Sequence, residues 1–129
     1  MRLNCQHVSA DEAGGEIFQI LFEEKEDQCD EPYVLIQRAW LEEDEGEFSP
    51  IYVETHDERL IGHYRKVDAV LTRSHLTLRL PPPTEEVIEI DFTTSDSTFR
   101  KVKRMLGIIL QRDTDEDKDA NIQVDGIRP

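Results

Sequence analysis

The spacing of apolar residues changes once along this chain, close to residue 93. Before that point, short runs such as 76–80 and 87–92 alternate apolar with polar residues, which is typical of strands that bury one face. After it, apolar residues recur at the spacing of one helical face: Phe99, Val102, Met105, Leu106, Ile108 and Ile109. Strands followed by a helix predict an α+β fold, with one C-terminal amphipathic helix packed on a sheet.

The connections between the predicted strands are short, which favours antiparallel pairing because parallel neighbours need long crossovers. We expect a mostly antiparallel sheet of six or seven strands, near residues 3–9, 16–22, 33–40, 51–55, 67–71, 75–80 and 87–92. Gly14 and Gly15 indicate a turn, since glycine adopts positive φ without steric cost. Thr94 or Ser95 is the expected N-cap of the helix.

The length of 129 residues fits one core, so we predict a single α+β domain over residues 1–111, followed by an acidic linker and tail over 112–129. No apolar stretch approaches the length of a membrane span, and the first residues lack the apolar segment of a signal peptide. We therefore expect a cytoplasmic protein. Cys5 and Cys29 are expected to be free thiols, because nothing in their spacing indicates a disulfide.

Acidic residues outnumber basic ones by 29 to 15, which gives a formal net charge of −14. Such a surface repels the phosphates of nucleic acids and of anionic membranes, so neither is an expected partner. A basic protein is favoured instead, since the electrostatic field would speed its approach. The alternative is that the acidity serves solubility alone.

The segment 113–119 offers the start of a calcium loop, with carboxylates at its first, third, fifth and seventh positions. The pattern then fails, because Lys118 stands where the loop needs glycine and Val124 stands where it needs glutamate. The four histidines lack the spacing of a zinc motif. Cys5 and His7, predicted on the same side of one strand, make only a pair. We therefore predict no metal and no other cofactor.

The chain contains no recognisable catalytic motif. The serines lack the G-x-S-x-G elbow, there is no glycine-rich phosphate loop, and carboxylates are too numerous to nominate an acid–base pair. We therefore predict a protein that is not an enzyme and has no catalytic or cofactor-binding residues.

The helix carries basic residues opposite its apolar face: Arg100, Lys101, Lys103 and Arg104. Nucleic-acid-binding surfaces combine such residues with aromatic side chains that stack on bases, and none are interleaved here. We expect these basic residues to pair with the chain's own acidic loops or to be solvated.

The densest acidic cluster follows the predicted strand 33–40. The candidate partner-binding residues are Trp40, Glu42, Glu43, Asp44, Glu45 and Glu47. An aromatic anchor ringed by charge is common in tight protein interfaces. Two alternatives are open: a solvated loop with Trp40 in the core, and an interface formed by the acidic stretch 23–31 instead.

The order of the segments resembles that of a known family. The segments are YVLIQR at 33–38, IYVE at 51–54, Gly62, KVDAVL at 66–71, HLTLRL at 75–80 and IEIDF at 88–92, followed by the terminal helix. In this order they resemble the immunity protein 10 family of bacterial polymorphic-toxin systems, over about residues 3–110. The sequence departs from the family at His63, where a second glycine is expected, and the tail after Gln111 lies outside the resemblance.

The resemblance implies an immunity protein that binds and neutralises a cognate toxin in the cytoplasm of the producing cell. It carries over no catalytic residues. Many such toxins are nucleases with basic substrate grooves, which acidic loops would block by shape and charge. The alternative hypotheses are a small acidic regulatory or protein-interaction module unrelated to toxins, and an enzyme, which would need a concave pocket with a shifted carboxylate.

Overall fold

Two β-sheets and one helix enclose a common hydrophobic core. The computed structural model describes residues 1–24, 32–41, 47–110 and 122–124, with the backbone alone at Glu47 and at 122–124. In chain order the strands are β1 (Arg2–Cys5), β2 (His7–Ala13), β3 (Ile17–Glu23), β4 (Tyr33–Leu41), β5 (Glu47–Phe48), β6 (Ile51–Thr55), β7 (Gly62–Tyr64), β8 (Asp68–Leu71), β9 (His75–Arg79), β10 (Val87–Phe92) and β11 (Ile122–Val124). Helix α1 spans Asp96–Ile109, and a short 3-10 helix spans Glu58–Leu60.

The strands form a mixed five-stranded sheet and an antiparallel six-stranded sheet. The five-stranded sheet has the order β1-β10-β9-β8-β11, in which β1 lies parallel to β10 and β11 lies parallel to β8. The six-stranded sheet has the order β2-β3-β4-β6-β7, and β5 pairs with the end of β4. The predicted α+β class, mostly antiparallel with one C-terminal helix, is confirmed. The strands, however, form two sheets rather than one.

Two sheets arise because the first predicted strand bends at Gln6. β1 ends at Cys5 in the five-stranded sheet, and β2 begins at His7 in the six-stranded sheet. The backbone N–H of Gln6 donates to the carbonyl oxygen of Glu23 at 3.1 Å, which ties the bend to β3. The expectation that Cys5 and His7 share one side of a strand is therefore wrong, since Cys5 is fully buried and His7 is exposed.

The thiol of Cys5 is free and lies in the core. Burial raises its pKa to about 12, and the nearby carboxylates of Glu24 and Glu23 add to the shift. Because the thiolate is the reactive form, Cys5 stays protonated and unreactive in the folded protein. Cys29 lies outside the described residues.

The alternating pattern turns one face of each sheet toward the common core, and helix α1 packs mainly against β2 and β3. Phe22 of β3 and Phe92 of β10 meet with ring centroids 5.7 Å apart, and Phe92 stacks on Phe99 of α1 at 6.3 Å. The helix buries the predicted apolar stripe: Phe99, Val102, Met105, Leu106 and Ile109, with Ile108 partly buried beside them. In the part of the chain that the structure describes, no helix is long and apolar enough to cross a membrane.

The turn between β2 and β3 uses both predicted glycines. Gly14 and Gly15 have φ angles of 60° and 71°, and the N–H of Glu16 donates to the carbonyl oxygen of Ala13 at 3.0 Å. Two central residues with positive φ are typical of a type I′ turn, whose twist matches that of the strands it joins. A side chain at either position would strain this hairpin.

Ser95, one of the two predicted N-caps, caps helix α1, and its hydroxyl accepts from the N–H of Thr98 at 3.1 Å. We expect Ser95→Ala to lower the free energy of unfolding by about 1 kcal/mol, because that N–H loses its acceptor. Urea unfolding measures the change. Thr94→Ala is the matched control, with an expected change below about 0.5 kcal/mol; equal losses in the two variants would contradict this assignment.

The predicted tail contains one strand. β11 lies parallel to β8, with Ile122 opposite Ala69 and Val124 opposite Leu71. Residues 122–124 therefore belong to the five-stranded sheet, whereas the sequence predicted an acidic linker and tail there. The remainder of 112–129, including the calcium-like carboxylates of 113–119, lies outside the described residues.

Candidate protein-binding face

One side of the six-stranded sheet points away from the core, because the helix and the five-stranded sheet lie on its other side. We call this side the outer face. Its residues alternate along the strands with core residues such as Ile20, Ile36 and Val53. On β3, β4, β6 and β7 the outer face includes ten residues, each partly or fully exposed: Ile17, Gln19, Leu21, Tyr33, Leu35, Gln37, Ala39, Tyr52, Glu54 and His63. Glu23 of β3 lies on the same side, as do four residues of β2: His7, Ser9, Asp11 and Ala13.

The outer face carries two aliphatic pairs on β3 and β4, and the polar pair Gln19–Gln37 lies between them. Leu21 of β3 lies directly opposite Leu35 of β4, and Ile17, which is 37% exposed, lies opposite Ala39. Adjacent aliphatic side chains on the solvent side of a sheet gain free energy when a partner covers them. Exposed apolar side chains rimmed by polar residues are found at protein interaction sites. The outer face therefore has the composition of a docking surface.

Two tyrosines hold one carboxylate on this face. The hydroxyl of Tyr33 donates to Oε2 of Glu54 at 2.7 Å, and the hydroxyl of Tyr52 donates to Oε1 at 2.6 Å. The bonds from Tyr52 and from Tyr33 lower the pKa of Glu54. The same bond to Glu54 raises the pKa of Tyr52. Glu54 is therefore ionised at neutral pH, while the phenol of Tyr52 remains a protonated donor.

Two histidines adjoin this cluster. The ring of His63 lies 5.0 Å from the ring of Tyr52, and the ring of His56 lies 6.3 Å from that of Tyr33. The backbone N–H of Tyr33 also donates to Nδ1 of His56 at 3.2 Å. Over residues 1–24, 32–41 and 47–110, no three His, Cys, Asp or Glu side chains gather as metal ligands would. The histidines thus extend an aromatic row rather than a metal cluster.

A buried arginine supports β4 from the core side. Arg38 is only 5% exposed, and its Nε donates to the carbonyl oxygen of Ser49 at 2.6 Å. One terminal nitrogen donates to the carbonyl oxygen of Ile109 at 2.9 Å, and the guanidinium lies 4.9 Å from the ring centroid of Phe48. Arg38 therefore joins the end of helix α1 to the end of β4. The sequence offers one signal of this burial, because Arg38 falls in the same alternation as the buried residues Val34 and Ile36, but its charge points to solvent instead.

The structure places part of the predicted partner-binding cluster. Trp40 packs partly against the core, with its ring 4.8 Å from that of Phe48 in an edge-on contact. The backbone of Glu47 pairs with Leu41, where β5 joins β4. The other predicted residues, Glu42, Glu43, Asp44 and Glu45, lie outside the described residues. Trp40 and the outer face are thus on opposite sides of the same sheet.

The two acidic segments attach at opposite ends of β4. The described chain stops at Glu24 and resumes at Pro32, where the N–H of Glu24 donates to the Pro32 carbonyl oxygen at 3.1 Å. It stops again at Leu41 and resumes at Glu47. Four carboxylates fall in each intervening segment, 25–31 and 42–46. The nine residues of β4 separate the attachment points by about 27 Å, and both adjoin the outer face.

The basic side of helix α1 lies away from the outer face. Arg104 is 3.8 Å from a carboxylate oxygen of Glu12 on β2, and Arg100, Lys101 and Lys103 are exposed. The partner of Arg104 is therefore a strand residue rather than one of the acidic loops. An exposed ion pair of this kind contributes little stability.

An open cleft of about 550 Å³ lies beside the 3-10 helix and the loop that joins β9 to β10, lined in part by Asp57, Arg59 and Glu86. The side chain and backbone N–H of Arg59 both bond to Asp57 and lower the pKa of that carboxyl to about 2. A proton donor near neutral pH would need a raised pKa instead. Asp57 and Arg59 therefore form an ion pair and do not have the properties of an acid–base pair.

Comparisons with protein-family models, curated proteins and solved structures found no match. The resemblance to the immunity protein 10 family therefore stays a prediction from the order of segments. The described residues define an α+β domain whose most distinctive surface is one exposed, tyrosine-bearing sheet face.

Proposed function

We propose that this protein is an immunity protein that binds a cognate bacterial toxin in the cytoplasm of the producing cell and occludes the toxin's active surface. The observation that carries the proposal is the outer face, an apolar and tyrosine-bearing surface with an acidic segment attached at each end of β4. A toxin with a basic substrate groove, such as a nuclease, has the complementary charge.

The two parts of this surface would contribute in different ways. Aliphatic and aromatic side chains at the centre of an interface provide most of the binding free energy once they are covered. Charged residues at the rim mainly raise the rate of association. With a net charge of −14, the chain attracts a basic partner from a distance, and the outer face then holds it.

The area of the outer face favours an interface that also includes the two acidic segments. Five strands of three to nine residues, at the usual strand spacing and rise per residue, give the outer face an area on the order of 500 Å². A stable complex buries about 800 Å² on each partner. The acidic segments would supply the difference, so the central strand β4 and its two flanking segments act together.

The direct experiment uses the gene next to the one that encodes this chain. If that gene encodes a toxin domain, expression of the toxin should arrest growth, and co-expression of this chain should restore it. An inactive toxin variant should also bind the purified chain. Absence of both rescue and binding would contradict the proposal, and capture of a housekeeping protein would favour the regulatory-module alternative.

Charge reversal tests the role of the acidic segments. Replacing Glu42, Glu43 and Glu45 with lysine is expected to slow association with the toxin about tenfold at low salt and to flatten its salt dependence. Stopped-flow mixing at several salt concentrations measures both effects. The matched variant reverses Glu26, Asp27 and Glu31 in the other segment, and the larger effect identifies the segment nearer the basic groove. Association rates unchanged in both variants would refute the assignment.

A further inference from the structure

The cluster of Tyr33, Tyr52 and Glu54 has a geometry that suits one particular ligand group. We propose that this cluster is a receptor for an arginine side chain of the basic partner. The inference rests on the proposed function, because it assigns the first point of recognition on the outer face.

The carboxylate of Glu54 is already oriented for a second set of bonds. Tyr33 on β4 and Tyr52 on β6 donate to different oxygens of the same group, at 2.7 and 2.6 Å. A carboxylate oxygen has two acceptor sites, so each oxygen retains one after the phenol has bonded. Because the donors come from neighbouring strands, the carboxylate is fixed before any ligand arrives.

Glu54 also differs from the other paired carboxylates. Asp57, Asp91 and Asp96 each contact an arginine within 3.0 Å. Among the described residues, Glu54 has no ion pair with lysine, arginine or histidine, and its partners are neutral phenols. An ionised and partly buried carboxylate with neutral partners favours a cation supplied from outside.

The surroundings favour arginine over lysine. Two carboxylate oxygens match the two parallel N–H groups of a guanidinium, whereas an ammonium is a single point charge. A guanidinium has five N–H donors, and the two phenol oxygens beside the carboxylate can accept from those that the carboxylate leaves free. Leu35, which lies directly opposite Glu54, offers an apolar contact for the methylene groups of the arginine.

The test is a titration of the whole protein with small blocked amino acids, followed by NMR. The probes are N-acetyl-arginine amide, N-acetyl-lysine amide and the uncharged N-acetyl-citrulline amide. Arginine is expected to shift the methyl signals of Leu35 in a saturable way, with lysine at least about threefold weaker and citrulline without effect. Equal responses to arginine and lysine would overturn the proposal.

Variants locate the binding. Glu54→Gln is expected to weaken arginine binding about tenfold, and Tyr52→Phe, which keeps the ring but loses one donor, about threefold. Glu89→Gln, a partly exposed carboxyl on the five-stranded sheet, is the matched control and should leave arginine binding unchanged. Circular dichroism verifies that each variant is folded. Arginine binding as tight in Glu54→Gln as in the unaltered protein would also overturn the proposal.

Failure of this inference is distinguishable from failure of the proposed function. If the toxin binds but its affinity is unchanged by Glu54→Gln, the arginine receptor is wrong and the docking face stands. If no toxin binds, the function is wrong, and the amino-acid titration still decides whether the cluster recognises a guanidinium.

Discussion

Replacing Arg38 with alanine is expected to lower the free energy of unfolding by about 3 kcal/mol, a large share of the stability of a domain this size. The guanidinium donates to the carbonyl oxygens of Ser49 and Ile109, and its removal leaves the first without this donor in a part-buried setting and the second in a buried one. The side chain also packs on Phe48, so its removal leaves a cavity beside the core. Helix α1 and the end of β4 would then separate more easily.

Urea unfolding followed by circular dichroism measures this loss. Arg38→Lys retains the charge but not the fixed fork of donors, so we expect it to recover less than half of the lost stability. Arg79→Ala is the matched control, because Arg79 is exposed at the end of β9, and a change below about 0.5 kcal/mol is expected. A loss below about 1 kcal/mol in Arg38→Ala would show that other groups satisfy the two carbonyls.

Replacing Leu35 with lysine is expected to weaken binding of the toxin at least about 100-fold, which corresponds to about 3 kcal/mol. Leu35 lies at the centre of the outer face, between Leu21 and Glu54 on the adjacent strands. A lysine there removes apolar contact area and places a positive charge against a basic partner. The ammonium would also bind Glu54 and so compete with the proposed arginine.

Isothermal titration calorimetry with an inactive toxin variant measures the affinity. The matched control is Val70→Lys, since Val70 points outward from the five-stranded sheet and its substitution should leave the affinity unchanged. Both variants should unfold within about 1 kcal/mol of the unaltered protein, because neither position is fully buried. Toxin affinity within threefold of normal in Leu35→Lys would exclude the outer face as the interface.

Local patterns were sufficient to predict several elements of the fold. The alternation in 75–80 and 87–92 identified β9 and β10, and the helical spacing from Phe99 identified α1 with its buried stripe. The glycine pair identified the β2–β3 turn. In each case the deciding interactions join residues that are close in the sequence, so the pattern contains the information.

Long-range pairing was not predictable from the same patterns. The two parallel pairs, β1 with β10 and β11 with β8, join strands that are far apart in the sequence. Leu3 lies opposite Ile90 in the first pair, and Ile122 lies opposite Ala69 in the second. The bend at Gln6 leaves the alternation of polar and apolar residues almost uninterrupted, so one predicted strand became two in different sheets. A short turn in the sequence reveals an antiparallel pair, but no such turn joins two parallel strands, so their pairing leaves no local pattern.

In the candidate site, too, local features were predictable from the sequence and long-range contacts were not. The acidic segments and Trp40 were visible in the sequence, because charge and aromatic content are local properties. The cluster of Tyr33, Tyr52 and Glu54 depends on the register between β4 and β6, which no single strand specifies. A two-residue shift of that register would separate Tyr33 from Glu54 while leaving both outward-facing.

The rigid strand between the two acidic segments has a consequence for partner choice. Because β4 has paired neighbours on both sides, the distance of about 27 Å between its ends cannot adjust to the partner. A target with positive charge at matching separation would engage both ends at once, and the second contact would gain from the high effective concentration that the first creates. Substitutions within the two acidic segments could then change which target is preferred, while β4 keeps the distance between the segments constant.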